Sequence, residues 1–174
     1  MKKLVLLFMV LALFPITTGF KIKKIDKVTD GEKFANEYGI NNNNTFVYAK
    51  IDEVIDIFTK GSGIVYFATN ECDWCNDNTT ILYKALKGTK ITKIYYYNPT
   101  IIKNKDDKKY QQLLQLVDEK EISLPSIYFI KGGKIIAKNK DLAKIKAKGE
   151  EDLSNKVKNK LKQKYEKLIE NYDV

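Results

Sequence analysis

From residue 45 onward, short β-rich or apolar runs alternate with amphipathic stretches, and this alternation limits the fold more than any other sequence feature. The strand-like runs are residues 45–51, 64–69, 91–98, 126–130 and 134–138. Stretches with helical spacing separate the first four runs and follow the last, whereas Gly132-Gly133 forms a predicted hairpin turn between the final two. The order β-α-β-α-β-α-β-β-α predicts an α/β fold of three layers, α/β/α, around a central mixed sheet. Strands joined through helices run parallel, and the hairpin adds an antiparallel edge.

Each predicted helix has one apolar face. Asp52 is the expected N-cap of the first helix, Gly88 closes the second, and Asp106 starts the third. The apolar positions are Val54, Ile55 and Phe58; Ile81, Leu82, Ala85 and Leu86; Tyr110, Leu113, Leu114 and Val117; and Leu153, Val157, Leu161, Tyr165 and Leu168. Helices of this kind are expected to cover both faces of the sheet.

Residues 1–19 have the layout of a secretory signal. A basic start at Lys2 and Lys3 precedes an unbroken apolar run, and cleavage is expected after Gly19. The eleven residues of that run fall short of the roughly 20 that span a membrane. The alternative is an uncleaved anchor that tethers the protein through residues 4–16. Both interpretations predict an extracytoplasmic protein, secreted or anchored to the outer face of the membrane, where disulfides form and persist.

The rest of the chain divides into a linker and one domain. Residues 20–44 are predicted to be a linker that contains a short helix, which either docks on the domain or tethers it. In that helix Asp30 is the expected cap, and Phe34 and Tyr38 lie four apart on one face. Residues 45–174 have the length of a single domain, so one compact core is expected and a monomer is predicted.

The formal net charge of +9 suggests nucleic-acid binding, but the residue types argue against it. The chain contains no arginine, the side chain that supplies bidentate contacts to bases and phosphates. The lysines are also interleaved with acidic residues along most of the chain. No nucleic-acid partner is therefore predicted, and attraction to an anionic envelope surface is the weaker alternative for the lysine excess.

The only two cysteines, Cys72 and Cys75, lie in the octet NECDWCND at residues 70–77. The octet follows the apolar run 64–69 and opens a helix, which is the setting of a redox C-x-x-C motif. Unpaired backbone N–H groups and the macrodipole at a helix N-terminus favour an anion, so Cys72 is the predicted nucleophile in its thiolate form. Cys75 lies one turn later on the same side and is predicted to resolve a mixed disulfide.

Two other roles for the cysteine pair are weaker. A structural zinc site needs four Cys or His ligands, and the chain has two cysteines and no histidine, so only a site shared between two copies could be built. A purely structural disulfide across so short a loop would constrain little of the unfolded chain. The sequence therefore favours redox chemistry, with no metal and no bound cofactor.

A second feature lies fifty residues after Cys75 and resembles the thioredoxin superfamily. The segment Leu124-Pro125-Ser126-Ile127, followed by the turn at Lys131–Lys134, is similar to the start of the fourth strand of thioredoxins and the turn into the fifth. The resemblance covers roughly residues 45–170 and implies a thioredoxin fold. It implies that Pro125 is a cis-proline facing the two cysteines and that the backbone of Leu124 pairs with a substrate chain. A trans-proline that only starts an edge strand is the alternative.

A narrower resemblance is to secreted or membrane-anchored thioredoxin-like proteins of low-GC Gram-positive bacteria. It rests on the Phe34/Tyr38 spacing, the segment Gly61–Phe67 and the motif Cys72-Asp73-Trp74-Cys75. The accessory thioredoxins of bacteriocin maturation look broadly similar.

The chain departs from the thioredoxin pattern at residues expected to tune the chemistry. Tyr66 occupies the position of a buried acid that accepts the proton of the second cysteine, so Cys75 would need water, Tyr66 or another group as its base. Glu71 and Asp73 place two carboxylates beside Cys72, which oppose the thiolate that the helix N-terminus favours. Trp74 replaces the histidine of strong oxidases, and it can both cover the cysteines and offer a docking surface for a peptide.

These features predict an extracytoplasmic thiol–disulfide oxidoreductase that acts on protein disulfides. A reductase or isomerase is favoured over a strong oxidase, because the reduced form lacks the stabilising histidine. Cys72 and Cys75 are the predicted catalytic residues, and Trp74, Leu124 and Pro125 the predicted substrate contacts. Its partners would be proteins with disulfides or thiols and an unidentified redox partner. The alternative is a non-catalytic thioredoxin-fold module that binds other proteins.

Overall fold

The computed structural model describes residues 28–102, 104, 107–147 and 153–173. The predicted signal segment 1–19, the start of the linker and Asp106 lie outside the described residues. The helices are α1 (Asp30–Tyr38), α2 (Ile51–Thr59), α3 (Asp73–Leu86), α4 (Lys108–Val117), α5 (Asp141–Ala147) and α6 (Asn155–Asp173). The strands are β1 (Phe46–Tyr48), β2 (Gly63–Phe67), β3 (Ile94–Tyr97), β4 (Ser126–Lys131) and β5 (Lys134–Asn139). A 3-10 turn covers Pro99–Ile101.

The five strands form one mixed sheet in the order β1-β3-β2-β4-β5. β1 and β2 run parallel to β3, whereas β4 is antiparallel to β2 and to β5. Phe67 at the end of β2 lies beside Tyr97 of β3 and opposite Ser126, the first residue of β4. β4 therefore begins next to the C-terminal ends of β2 and β3. This architecture is the thioredoxin fold, and the predicted α/β/α class with a mixed sheet is confirmed.

Helices cover both faces of the sheet, as predicted, because successive side chains of a strand point to opposite faces. On one face the central strands pack against α1, α3 and α6, and on the other against α2 and α4. The first face is formed by Ile64 and Tyr66 of β2 with Ile127 and Phe129 of β4, and the second by Val65, Phe67, Tyr128 and Ile130. Full burial of each aliphatic or phenylalanine side chain among them is worth roughly 1.5–3 kcal/mol.

The predicted hairpin turn is present between β4 and β5. Gly132 and Gly133 both have positive φ, 55° and 74°, as a tight turn between antiparallel strands requires. Gly133 also lies against the end of α2, where an added Cβ would be 2.3 Å from the carbonyl oxygen of Thr59. Its N–H donates to the carbonyl of Gly61 over 2.7 Å. Both the turn and this close approach need glycine at residue 133.

Several element boundaries differ from the prediction because side chains one position away form the caps. α1 is capped by Thr29, not Asp30, and Thr29 exchanges hydrogen bonds with Glu32 in a capping box. α4 is capped by Asp107, whose carboxylate accepts from the N–H groups of Lys109 and Tyr110. The prediction of Asp106 as its start is therefore wrong by one residue.

The strands are shorter than their β-rich runs. β1 ends at Tyr48 because α2 already begins at Ile51, and the prediction of Asp52 as the cap of α2 is wrong. Lys50 is the cap residue, and its N–H donates to the carboxylate of Glu53 over 2.8 Å. β3 likewise covers only Ile94–Tyr97 of the predicted run 91–98. α5 was not predicted, since its seven residues are too few for a clear periodic pattern.

The short helix α1 packs into the first core. Phe34 is fully buried and its ring stacks on that of Phe46, with centroids 4.1 Å apart. The hydroxyl of Tyr38 donates to that of Tyr96 over 3.1 Å. Burial raises the pKa of Tyr38 far above its ordinary value, so this hydroxyl stays protonated. Within the described residues, no helix has the length and apolar character needed to cross a membrane.

Candidate active site

Cys72 lies at the junction between the sheet and α3. It is the N-cap residue of that 14-residue helix and is half-buried. Its carbonyl accepts from the N–H groups of Cys75 and Asn76 over 2.9 and 3.0 Å, and its own N–H donates to the carbonyl of Thr69 over 3.3 Å. The loop after β2 therefore holds the thiol at the positive end of a helix dipole, the position that favours a thiolate.

Cys75 is fully buried in the first turn of α3. It belongs to the first core, together with side chains of the sheet and of α6. The pair is therefore asymmetric: Cys72 is partly accessible to solvent, and Cys75 is not. This arrangement suits attack by Cys72 and resolution by Cys75.

The residues beside the cysteines differ in exposure. Glu71 and Asp73 are exposed, and Asp73 begins α3. Trp74 is half-buried and packs against the first core. The two carboxylates thus lie in solvent next to Cys72, where their repulsion of a thiolate is weakened by water and salt.

The segment Leu124-Pro125 lies at the end of the sheet where β2 leads into the cysteine loop. The Leu124–Pro125 peptide bond is cis, as the resemblance implied. Pro125 is buried and directly precedes Ser126, which pairs with Phe67 at the end of β2. Leu124 is half-buried and packs against both cores. The antiparallel register therefore brings residues 124–125 beside the loop that leads to Cys72.

A small open cavity lies at this end of the sheet, between the residues that follow β3 and those that precede β4. Its volume is about 250 Å³, and its lining is mainly apolar: Pro99, Thr100, Ile102, Tyr110, Glu121, Ile122 and Leu124. Asn98 directly precedes this lining at Pro99, and its side-chain amide donates to the hydroxyl of Thr69 in the cysteine loop over 3.3 Å. A cavity of this size is smaller than the roughly 300–1,000 Å³ typical of cofactor pockets and is suited to a single side chain of a bound polypeptide.

No protein-family model and no curated protein matches this chain. Among solved structures, the chain is similar to thioredoxin O2 from Arabidopsis thaliana in its oxidised state, with a TM-score of 0.39 and 17% sequence identity. That match covers 60% of this chain and 90% of the other chain.

Tyr66 lies beneath Cys75 and is fully buried. Its hydroxyl donates to the carbonyl of Cys75 over 3.3 Å and shares a 2.9 Å hydrogen bond with the hydroxyl of Thr79. Burial raises the pKa of Tyr66 well above its ordinary value, and the nearby charge of a Cys75 thiolate would raise it further. The phenol therefore stays neutral at physiological pH and cannot be the base that takes the proton of Cys75.

Three residues of this network were missed by the sequence interpretation or given only a packing role. Asn78 is buried, donates to the hydroxyl of Tyr66 over 3.1 Å, and accepts from the hydroxyl of Tyr165 over 2.5 Å. Thr79 is also buried. A signal was available: Asn78 and Thr79 lie three and four residues after Cys75, so they share its buried helix face although they are polar.

No group of three or more Cys, Asp or Glu side chains in the described part of the chain is arranged to hold an ion.

Proposed function

We propose that this protein is a thiol–disulfide oxidoreductase acting on disulfides of other proteins. The observation that carries the proposal is the arrangement of the two cysteines around the start of α3. Cys72 is half-buried at the helix N-terminus directly after a central strand, and Cys75 is fully buried one turn later. Residues Leu124 and Pro125 border the same site and would shape the groove for the substrate chain.

The proposed reaction has two exchange steps. The Cys72 thiolate attacks one sulfur of the substrate disulfide, forming a Cys72–substrate disulfide and releasing the other sulfur as a thiolate, which takes up a proton. Cys75 loses its proton and attacks Cys72, so that a Cys72–Cys75 disulfide forms and the second substrate thiol leaves. Two electrons move from the protein to the substrate, and an external dithiol must return them.

We also propose in which redox direction the exchange runs and in which compartment it takes place. Trp74 and the carboxylates of Glu71 and Asp73 leave the Cys72 thiolate without a cationic side chain in the motif. The reduced form is then less stabilised, so the centre would act as a reductase or isomerase. A reduction potential of about −120 mV, measured against glutathione, would contradict this direction. Residues 1–19 resemble a secretory signal, which supports a location outside the cytoplasm. The protein would then be secreted or membrane-anchored, like the thioredoxin-like proteins of low-GC Gram-positive bacteria.

A non-catalytic binding module is the second candidate, and one observation favours it. Tyr66 stands where a proton acceptor for Cys75 is expected, and its buried phenol cannot serve as one. In that case the thioredoxin fold would present the groove near Leu124 to a partner without turning over disulfides.

Reduction of insulin disulfides in the presence of dithiothreitol separates the two candidates. An oxidoreductase requires that the wild type accelerate the reaction, that Cys72→Ala abolish the acceleration, and that Cys75→Ala accumulate mixed disulfides with insulin. A wild type no faster than the uncatalysed background would support the binding module. Circular dichroism of each variant checks that the fold is retained.

A further inference from the structure

The polar network beneath Cys75 connects three separate parts of the fold. Tyr66 belongs to β2, Asn78 and Thr79 to α3, and Tyr165 to α6. Each of these side chains is at most 2% exposed, so water has little access to their polar groups. In such a place each polar group needs a protein partner, since an unsatisfied one costs about 1–3 kcal/mol.

Asn78 is the centre of this network. Its amide nitrogen donates to the Tyr66 hydroxyl, and its amide oxygen accepts from the Tyr165 hydroxyl. Both ends of the amide are thus used by phenols that come from different elements. Removal of this one side chain takes away both the bond that Tyr66 accepts and the bond that Tyr165 donates, whereas removal of either phenol takes away only one of them.

The Tyr66 hydroxyl in turn holds the backbone of Cys75. A phenol has one proton to donate and two lone pairs to accept with. With the proton directed to the Cys75 carbonyl, the lone pairs can accept from Asn78 and from Thr79, and the oxygen is then fully satisfied. The first turn of α3 is in this way attached to the central strand on one side and to α6 on the other.

We infer that Asn78 is a positioning residue for Cys75, setting the place of the resolving thiol relative to Cys72. The inference rests on the proposed dithiol function. Formation of a disulfide needs the two Cβ atoms about 3.5–4.5 Å apart and a narrow range of dihedral angles, so a small shift of the first helical turn hinders the bond. Cys72 has a second attachment, from its N–H to the carbonyl of Thr69 in the loop after β2, so its own attack on a substrate is expected to depend much less on Asn78.

The network is also uncharged. Burial raises the pKa of both Tyr66 and Tyr165 above the ordinary value of tyrosine. No member gains or loses a proton at physiological pH, in contrast to a buried carboxylate. The resolving step would then be governed by geometry and by the ionisation of the two thiols.

The test separates the two exchange steps with a symmetrical chromogenic aryl disulfide. Attack by Cys72 releases the first coloured thiolate, and resolution by Cys75 releases the second. In Asn78→Ala the first phase is expected to stay within about twofold of wild type and the second to slow by about tenfold. Tyr165→Phe, which keeps the Asn78–Tyr66 bond, is expected to slow only the second phase, and by less. If Asn78→Ala does not fold, Tyr165→Phe alone still tests the inference.

Leu113→Ala is the matched control, because Leu113 is fully buried in the core on the opposite face of the sheet. It lowers stability without touching the network and should leave the second phase unchanged.

The inference is overturned if Asn78→Ala and Tyr165→Phe leave the second phase at the wild-type rate. It is overturned equally if both phases slow together or if Leu113→Ala slows the second phase as much. A wild type that never releases the second thiolate contradicts the proposed function itself, which is a distinguishable result.

Discussion

The side-chain amide of Asn98 donates a hydrogen bond of 3.3 Å to the hydroxyl of Thr69, joining the end of β3 to the loop before Cys72. Thr69 is buried, and its carbonyl accepts from the N–H of Cys72. One residue at the end of a neighbouring strand therefore helps to hold the loop that presents the nucleophile.

Asn98→Ala is expected to lower the free energy of unfolding by about 1 kcal/mol, the typical contribution of one such hydrogen bond. It should also speed hydrogen exchange at the Cys72 amide, because the Thr69 loop loses its lateral support. Thr69→Val should have a similar effect, and the double variant should lose less than the sum of the two. Thr100→Ala, which removes an exposed hydroxyl bonded to the same Asn98, is the control and should leave Cys72 exchange unchanged. Full additivity of the two losses would show that the Asn98–Thr69 bond contributes nothing.

Asp73→Asn is expected to increase the reactivity of Cys72. A carboxylate beside the thiolate opposes its formation, and between exposed charges the repulsion is about 0.5–1 kcal/mol, or about two- to fivefold in rate. The measurement is alkylation of Cys72 by iodoacetamide at neutral pH in a Cys75→Ser background. The increase should shrink as salt is added, because salt screens exposed charges.

Asp77→Asn provides the matched comparison for that experiment. Asp77 lies one turn further along α3, and its carboxylate pairs with Lys158 over 3.2 Å. The same chemical change there should alter the alkylation rate of Cys72 much less. Equal rates for Asp73→Asn and the parent would contradict a repulsive role for Asp73.

Much of the fold could be predicted because its signals are local. The apolar run before the octet and the apolar helix face after it identified β2, α3 and the place of Cys72 from neighbouring residues alone. The start of β4 directly after Pro125 was predicted from the resemblance of this segment to thioredoxins. The caps of α1 and α4 were missed by a single residue; at α1, for example, Thr29 and Asp30 can both accept a helix N–H, and only the final backbone geometry selects one.

The hydrogen-bond network could not be predicted, for a different physical reason. Tyr66, Asn78 and Tyr165 are far apart in sequence, and periodicity assigns Tyr165 only to the apolar face of a helix. That assignment is correct, since Tyr165 is buried, but it does not show where the hydroxyl points. Partners of buried polar groups depend on how helices and strands pack together, which no local pattern contains.

Stability is expected to fall at alkaline pH. Burial raises the pKa of Tyr38, Tyr66 and Tyr165 above the ordinary value near 10. Above about pH 10 the unfolded chain releases protons that the folded protein keeps, so stability is full below that pH and declines above it. Each such tyrosine contributes a slope of about 1.4 kcal/mol per pH unit. Urea unfolding followed across this range measures the slope.

Tyr66→Phe should make that slope shallower by the contribution of one tyrosine, about 1.4 kcal/mol per pH unit. Phe129→Leu, a buried aromatic change in the same core without a phenol, should lower stability at all pH values and leave the slope as it was. An unchanged slope in Tyr66→Phe would mean that its proton is not retained on folding.

Phe34→Ala is expected to be among the most destabilising single changes outside the central strands. Its ring is fully buried, stacks on Phe46 and lies edge-on to Tyr96, with centroids 5.0 Å apart. Truncating a buried phenylalanine generally costs about 3–5 kcal/mol, and denaturant unfolding of the variant would measure the loss. Phe34→Leu, which refills most of the space, should cost far less. Because this side chain comes from the predicted linker 20–44, a chain that starts at residue 45 should lose at least as much stability as Phe34→Ala. A truncated chain as stable as the full one would show instead that α1 is dispensable to the core.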